Sequence, residues 1–528
     1  MIREDIRNIV EKACFKAKFS IDGIDFSIEH PENEKFGDYS TNAAMQIAKI
    51  VKKKPMEVAR VITQSLSHSV TKSLFSKIEI IKPGFINFFI SKEYLQKQVK
   101  EILKDSERYG DLNIGKKQKV QIEFISANPT GPLTIGNARG GPFGDVLANV
   151  LKKSGFKIEK AYYVNDFGNQ ILLLGHSVLK DKEAIYKGKY IDELNKKIKE
   201  KNPCKAGKKA AKIIINEMIK KTVRKMGIKY NEWFFESQLH KSGQVAQVIQ
   251  FLKKKNLVYQ KEGALWFKSS KYGDNRDRVL VKKDGSKTYL AGDIAYHRYK
   301  FEKKKFNKVI NIWGADHYGD VLGLKAGTEA LGHKDKLDII LHQFVTILRK
   351  GEKQRMSKRK GVYFTIDELL DEINSDVMRF FFLQKSINTH LNFDITLAKE
   401  QSEKNPVYYI QYAHARMHSI LAKSEILSTL DALNPKLELL NHPAELKLIK
   451  QLIRFPEIIE DTAKDYQVQR IPQYAFDLAA VFHKFYRDCK VIIKDKALFQ
   501  SRLALVEATM VVLKNTLDLM SISAPKKM

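Results

Sequence analysis

Lys119–Val164 reads KVQIEFISANPTGPLTIGNARGGPFGDVLANVLKKSGFKIEKAYYV, and its periodicity changes three times. Val120, Ile122 and Phe124 alternate, which predicts a strand. Ser126 to Pro132, with two prolines and a glycine, is loop chemistry. Phe143, Val146, Leu147, Val150 and Leu151 then recur at helical spacing, so a helix is expected from about Gly141 to Lys153, with Pro142 in its first turn and Gly155 at its stop. A second strand follows at Ile158–Val164. Strand, glycine-containing loop, helix and strand make a βαβ unit, the opening of a nucleotide-binding doubly wound parallel sheet.

Working outward, the same pattern resumes at Lys308–Trp313, a short apolar strand ending in Gly314-Ala315-Asp316-His317, with a helix pattern through Leu331. Another strand near Phe344–Leu348 runs into the loop Arg349–Gly361, and this strand is expected in the same sheet. The first ~110 residues read as a small α+β unit, judged by pattern and length. It has a turn-rich stretch at Pro31–Asp38, a helix over Thr41–Val51, and two strands across Lys77–Ile90 broken at Pro83-Gly84. Lys116 and Lys117 mark a hinge. Residues 180–225 hold 16 Lys/Arg against 6 Asp/Glu, which suggests a helical insertion with a solvated basic face; contact with RNA stays open. After about Gln401 the chain reads as all helix. Three domains are expected: 1–113, 114–395 with the basic helical insertion around 180–235, and 396–528.

The 528 residues include 43% hydrophobic side chains, enough for ordinary cores, and carry a net charge of +32. That excess favours a polyanionic partner, because bound phosphates release counterions; a solubility bias is the plainer reading. Cys14, Cys204 and Cys489 are far apart and form no CxxC pair, so a disulfide framework or a structural zinc-thiolate site is not expected and no metal ligand is assigned. The start lacks a signal-peptide core, and no uncharged run approaches the ~20 residues of a membrane span. A soluble, cytoplasmic protein without a membrane partner is expected.

Three short stretches carry chemistry. Thr134-Ile135-Gly136-Asn137 lies between the first strand and helix of the sheet, where helix amides attract phosphate and a glycine admits a nucleotide closely; a glycine in such a turn is also commonplace. The loop around Met356-Ser357-Lys358 holds seven basic residues between Arg349 and Lys360 against one acid. It can close over a triphosphate or be an ordinary solvated surface. Gly314-Ala315-Asp316-His317 ends a strand, so Asp316 can accept from ribose hydroxyls or cap a helix.

Together, in the order Gly136, Gly314, Lys358, these stretches resemble the class I aminoacyl-tRNA synthetases, whose signatures read His-x-Gly-His and Lys-Met-Ser-Lys-Ser. Thr134 and Asn137 replace both histidines here, and Arg355 and Arg359 replace the flanking Lys and Ser. Longer runs resemble the arginyl-tRNA synthetase family specifically: Glu123 to Pro132, Ala138 to Gly141, Tyr162 to Gln170, Tyr289 to Tyr296 and Asn405 to Arg416.

The resemblance implies a Rossmann-like doubly wound α/β catalytic domain, an N-terminal α+β domain that grips the tRNA elbow, and an all-α anticodon-binding domain. It implies an arginine–tRNA ligase acting on ATP with Mg2+, L-arginine and tRNA(Arg), and a monomer is expected. By resemblance, Thr134, Asn137, Ser357 and Lys358 are catalytic, and Gly136, Gly314, Asp316, His317 and Met356 bind ATP. Glu123, Asn128, Tyr289 and Asp293 bind arginine, and Phe85, Asn87, Tyr409, Tyr412 and Met528 bind tRNA. A guanidinium presents five donors and keeps its proton, so its pocket needs carboxylates. Plainer readings stand beside these: a strand-edge residue for Glu123, a helix N-cap for Asp293, and buried core aromatics for Phe85, Tyr409 and Tyr412. Two other functions stay open, a class I synthetase for another amino acid and a basic RNA-binding relative that has lost its catalytic histidines.

Overall fold

The structure, a computed structural model, describes all residues except 67, 355–363 and 428–434, together with the side chains of 68–70 and 424–427. The N-terminal unit is an antiparallel sheet of β1 (Ile28–Glu29), β2 (Tyr39–Thr41), β3 (Phe75–Ile81) and β4 (Phe85–Ile90) in the order β1-β2-β4-β3. The hairpin expected over Lys77–Ile90 is β3–β4. Helices Ile2–Lys16, Ala43–Val51 and Pro55–Ser65 bury Ile6, Val10, Ile47, Val58 and Ile62 in its core.

The segment expected to act as a hinge is strapped down. Leu112, Gly115 and Lys117 donate backbone hydrogen bonds of 2.8–2.9 Å to Lys153, Ser154 and Gly155, and Lys116 and Lys117 both take left-handed backbone conformations to make the turn.

The central sheet contains β5 (Lys119–Glu123), β6 (Lys157–Val164) and β7 (Glu232–Phe235). After β7 the chain builds a separate antiparallel sheet from β8 (Val258–Lys261), β9 (Ala264–Phe267) and β10 (Arg278–Val281), which the sequence pattern did not suggest. It then returns through β11 (Lys308–Gly314) and β12 (Leu337–His342). The order is β12-β11-β5-β6-β7, parallel throughout. From β5 the chain winds one way through β6 and β7, and from β11 the other way. Their shared boundary is therefore the topological switch point, where the crossovers diverge and leave a crevice at the strand C-termini. Helix Gly140–Lys153 lies close on this sheet because residue 144 is glycine: a Cβ there would come within 2.4 Å of the Phe124 ring.

One expectation needs correction. The strand before the basic loop is not part of the central sheet. It is β13 (Val345–Arg349), which pairs with β14 (Glu352–Lys353) and β15 (Leu391–Asp394) in the order β14-β13-β15. The apolar run from Leu337 to Leu348 is broken at Gln343-Phe344 and supplies two strands to two sheets, so pattern alone could not divide it.

Within residues 180–225 the chain is helical over Lys189–Lys197 and over Pro203–Ile213, which runs on through a π turn into Lys220–Lys225. Among the described residues the C-terminal part is built on α-helices Pro406–Leu427, Pro443–Ile453, Phe455–Asp465, Arg470–Asp488 and Lys496–Met520. It clasps the N-terminal unit. The buried Glu457 carboxylate accepts from Tyr39 Oη at 2.8 Å and pairs with His30 Nε2 at 2.8 Å, while Arg3 pairs with Glu460 and Asp461.

A second junction is wholly interior. Arg379 pairs with Asp145 at 2.5 Å and donates to the carbonyls of Met226 and Met520, at 2.9 and 2.6 Å. Arg379 thereby ties helix Gly140–Lys153, the end of the insertion and the last helix of the chain to one point. No helix of the described residues is long and apolar enough to cross a membrane.

Candidate active site

One cavity of about 1260 Å³ opens at the switch point, and ten of the sequence-derived candidates line it: Glu123, Asn128, Thr134, Gly136, Asn137, Tyr289, Asp293, Gly314, Asp316 and His317. Most sit at or just beyond a strand end or helix start, and Asp293 lies one turn inside its helix. Met356, Ser357 and Lys358 lie outside the described residues.

The turn between β5 and helix Gly140–Lys153 is built differently from its simplest reading. Thr134 is the N-cap of the short helix Ile135–Ala138. Its hydroxyl donates to Asn137 Oδ1 at 2.6 Å, so the two residues in the signature-histidine positions satisfy one another. The Asn137 amide NH2 is thereby left as the donor side. Thr134 is also bridged to Thr365, with Ile135 N donating to Phe364 O at 3.2 Å, which fixes this turn to the far end of the basic loop. Gly136 is exposed, and a Cβ there would meet almost nothing of the protein.

Asp316 is not a helix N-cap; Gly314 occupies that position of the 3-10 turn Ala315–Asp320. Gly314 is needed because the Asp316 carboxylate folds back beside it: a Cβ at 314 would lie 2.3 Å from Asp316 Oδ1. His342, at the end of β12, is a half-buried lining residue that the sequence reading missed. Burial pushes its pKa down to about 4, so it is neutral. Fully buried Arg139 holds the loop after β12 in place through the carbonyls of Gln343, at 2.7 Å, and Phe344.

The acidic end of the cleft has a defined charge balance. Asp293 lies inside helix Tyr289–Arg298, whose N-cap is Thr288, so capping does not explain it. Tyr289, one turn earlier, is on the same face and is 56% exposed at the cavity wall. Among the described residues the Asp293 carboxylate accepts no hydrogen bond and makes no ion pair. Burial first, then the nearby charges of Glu236, Glu123 and Asp320, raise its pKa far above the carboxylate range.

Glu123 is not a free acid. On the central strand β5, its Oε2 pairs with the fully buried Lys300 Nζ at 2.6 Å, and its Oε1 accepts from Ser126 Oγ at 3.2 Å. Lys300 in turn reaches Asn311 Oδ1 at 3.3 Å, and Asn311 Nδ2 donates to His297 Nε2 at 2.9 Å. His297 Nδ1 then donates to the Asp293 carbonyl at 2.8 Å. Buried and kept neutral, His297 completes a floor that joins the Asp293 helix to the loop after β5.

The acid that sequence reasoning missed is Glu236, the residue after β7. It is buried, lines the same cavity and contacts His240 Nε2 at 3.3 Å. Burial, assisted by Asp166 and opposed by a hydrogen bond with Tyr163, pushes its carboxyl up to about 7. Its signal was the one that singled out Asp316, a carboxylate at a strand's C-terminal end. The four-residue strand beside the basic insertion escaped notice.

The remaining candidates lie elsewhere. Phe85 is half-buried at the start of β4. Asn87 on β4 is 2% exposed, with Oδ1 accepting from Ser40 Oγ at 2.7 Å. Tyr409 is half-buried against Phe476 and His483. Tyr412 is exposed, stacked with Tyr408, and covered by the Arg416 guanidinium at 4.6 Å from its ring. The tail that ends in exposed Met528 packs on the same helix, with Gln411 and His414 bonding to Ser523 and Pro525.

Comparison with known families decides what this cleft belongs to. Residues 98–203 and 179–382 match the class I (R) tRNA synthetase catalytic domain, 1–90 the arginyl-tRNA synthetase N-terminal domain, and 410–528 the DALR anticodon-binding domain. The chain belongs to the arginyl-tRNA synthetases. The arginine–tRNA ligase of Ruminiclostridium cellulolyticum is 42% identical to this synthetase, over 100% of this chain and 99% of that protein. The Bacillus cereus enzyme is 40% identical over 100% and 98%. The solved Thermus thermophilus arginyl-tRNA synthetase superposes over the whole of both chains with a TM-score of 0.80 at 20% identity, which supports the fold.

Proposed function

We infer that this synthetase is an arginine–tRNA ligase. It uses ATP to convert L-arginine into an enzyme-bound arginyl-adenylate, releasing diphosphate, and then passes the arginyl group to the 3'-terminal adenosine of tRNA(Arg), releasing AMP. The observation that carries the choice of amino acid is Asp293, an enclosed, unpartnered carboxylate one helical turn from Tyr289 and facing a second buried acid, Glu236. A buried carboxylate without a partner calls for a cation. A guanidinium fits this half-buried acid and its buried neighbour Glu236 best, since it stays charged and presents a planar fork of donors.

In this reading Asp293 and Glu236 receive the guanidinium and Tyr289 packs on it. Asn128 holds the α-amino or carboxylate end, and Glu123, balanced by Lys300, sets the floor. A neutral analogue gives up the ion pairs and charged hydrogen bonds that a guanidinium makes with these acids, so no editing domain is required. Gly136, Gly314, Asp316 and His317 cradle the adenosine of ATP. Thr134 orients the Asn137 amide, which together with the loop bearing Met356, Ser357 and Lys358 stabilises charge that develops on the α-phosphate. Magnesium arrives with ATP as part of that substrate.

Residues 1–113 grip the tRNA elbow, with Phe85 as a stacking candidate. Residues 114–395 carry the chemistry, and 396–528 bind the anticodon through Tyr409, Tyr412 and Met528. The enzyme works as a cytoplasmic monomer. Diphosphate exchange tests the reading: arginine-dependent exchange should require added tRNA and vanish in Asp293→Asn. Unchanged arginine kinetics in that variant would contradict the amino-acid assignment, and robust exchange without tRNA would contradict the tRNA requirement.

A further inference from the structure

The run Tyr162–Gln170 carries part of the family resemblance but has no part in the reaction as described so far. It leaves the end of β6 and faces the acid that follows β7. Three consecutive residues of it engage the short helix Glu236–Lys241. The Asn165 amide satisfies its neighbours in one orientation only, with Nδ2 donating to Glu236 Oε2 at 2.8 Å and to the Phe167 carbonyl at 3.1 Å. Asp166 accepts from the Ser237 amide at 2.9 Å and from Ser237 Oγ at 2.7 Å. Phe167 stacks on His240, with ring centroids 3.9 Å apart and planes 16° from parallel. His240 Nε2 in turn meets Glu236 Oε1 at 3.3 Å. Each oxygen of Glu236 thus has its own neighbour, and Asn165, Phe167, Glu236 and His240 all line the main cavity.

The contrast with Glu123 gives this clamp its meaning. Glu123 is paired with the Lys300 ammonium, so its charge is answered inside the protein. Glu236 is held instead by a carboxamide, which carries no charge, and by an imidazole that burial and the nearby Lys287 keep neutral. Neutral donors fix the plane of a carboxylate and leave its charge for a ligand. An ionised carboxylate has about four acceptor sites, so room for a second pair of donors remains. A guanidinium binds through two parallel hydrogen bonds in one plane, which makes the orientation of that plane matter as well as the charge. We propose that Asn165 and His240, the latter braced by Phe167, are positioning residues that set the plane of the Glu236 carboxylate for the guanidinium of the substrate. The proposal rests on the ligase reading, and both residues act through Glu236.

The test is steady-state aminoacylation of tRNA(Arg) by the full-length enzyme and its His240→Leu, His240→Gln, Asn165→Ala and Phe167→Ala variants. His240→Leu and Asn165→Ala should each raise the KM for arginine on the order of tenfold, the worth of a hydrogen bond to a charged group. The kcat and the KM for ATP should stay within about twofold of wild type, as for a loss of uniform binding. His240→Gln keeps a donor and should recover most of the lost arginine affinity. Phe167 is 41% exposed, so Phe167→Ala keeps the fold and decides the question even if another variant melts early; by unbracing His240 it should raise the arginine KM severalfold. An unchanged arginine KM in Phe167→Ala and in the folded His240→Leu and Asn165→Ala enzymes would overturn the positioning role and leave the ligase reading intact. So would equal losses in His240→Gln and His240→Leu, or a KM for ATP that rises in step with that for arginine. Failure of the wild-type enzyme to charge tRNA(Arg) with arginine would overturn the ligase reading as well.

Discussion

Arginine should expel a proton when it binds. In the empty cleft burial pushes the Glu236 carboxyl from 4.5 up to about 7, and Asp293 is raised in the same direction. A guanidinium keeps its proton and selects ionised acids. If pairing returns Glu236 to its ordinary value, the distance from about 7 to 4.5 is worth about 3 kcal/mol at 1.36 kcal/mol per pH unit. The arginine Kd should therefore tighten by on the order of a few hundredfold between pH 4.5 and 7.5, close to tenfold per pH unit and more steeply where Asp293 also titrates. Titration calorimetry at pH 6 in two buffers of different ionisation enthalpy reads the proton directly. At least one proton should be released at pH 6, the part from Glu236 falling toward zero by pH 8 while Asp293 adds its own, and Glu236→Gln should reduce the release. Equal heats in both buffers at pH 6, with the same Kd at pH 5.5 and 7.5, would refute the reasoning.

The same group should shape stability without ligand. Between pH 4.5 and about 7 the folded state keeps a proton that the unfolded chain has lost, so stability falls as pH rises through that window; thermal scans at pH 5 and 7.5 should show a smaller drop in Glu236→Gln than in wild type. Arg379→Ala should cost about 3–5 kcal/mol, read from urea denaturation midpoints, because it removes one of the two cations on buried Asp145, leaving Lys160 at 2.6 Å, and strips the Met226 and Met520 carbonyls of their donor. Gly314→Ala should displace the Asp316 carboxylate and raise the KM for ATP about 10- to 100-fold, the worth of a charged hydrogen bond, with the KM for arginine little changed.

Much of the catalytic fold was legible because its central elements obey single-period rules. The β5–helix–β6 unit announced itself by alternation, loop chemistry and helical spacing within 46 residues, and the rule that ligands sit at strand C-termini led to Gly136, Gly314 and Asp316, whereas Glu123 and Asp293 came from the family resemblance. What escaped depended on tertiary pairing. The division of the run Leu337–Leu348 between two sheets is decided at Gln343-Phe344 by partners distant in sequence. Lys300 cancels the Glu123 charge from 177 residues away, and nothing in the local pattern around either residue signals that pairing. Glu236 follows a strand too short to register. Ser40 donates to the Asn87 oxygen because β2 packs beside β4, a contact that the motif around Asn87 does not show.

The most direct test is to offer purified tRNA(Arg), ATP and each of the twenty amino acids in turn to the wild-type protein and to count aminoacylated RNA. Arginine alone should be esterified to the transcript. Preferential esterification of any other amino acid, or of none, would contradict the claim that an unpartnered acidic cleft beside the nucleotide site selects a guanidinium.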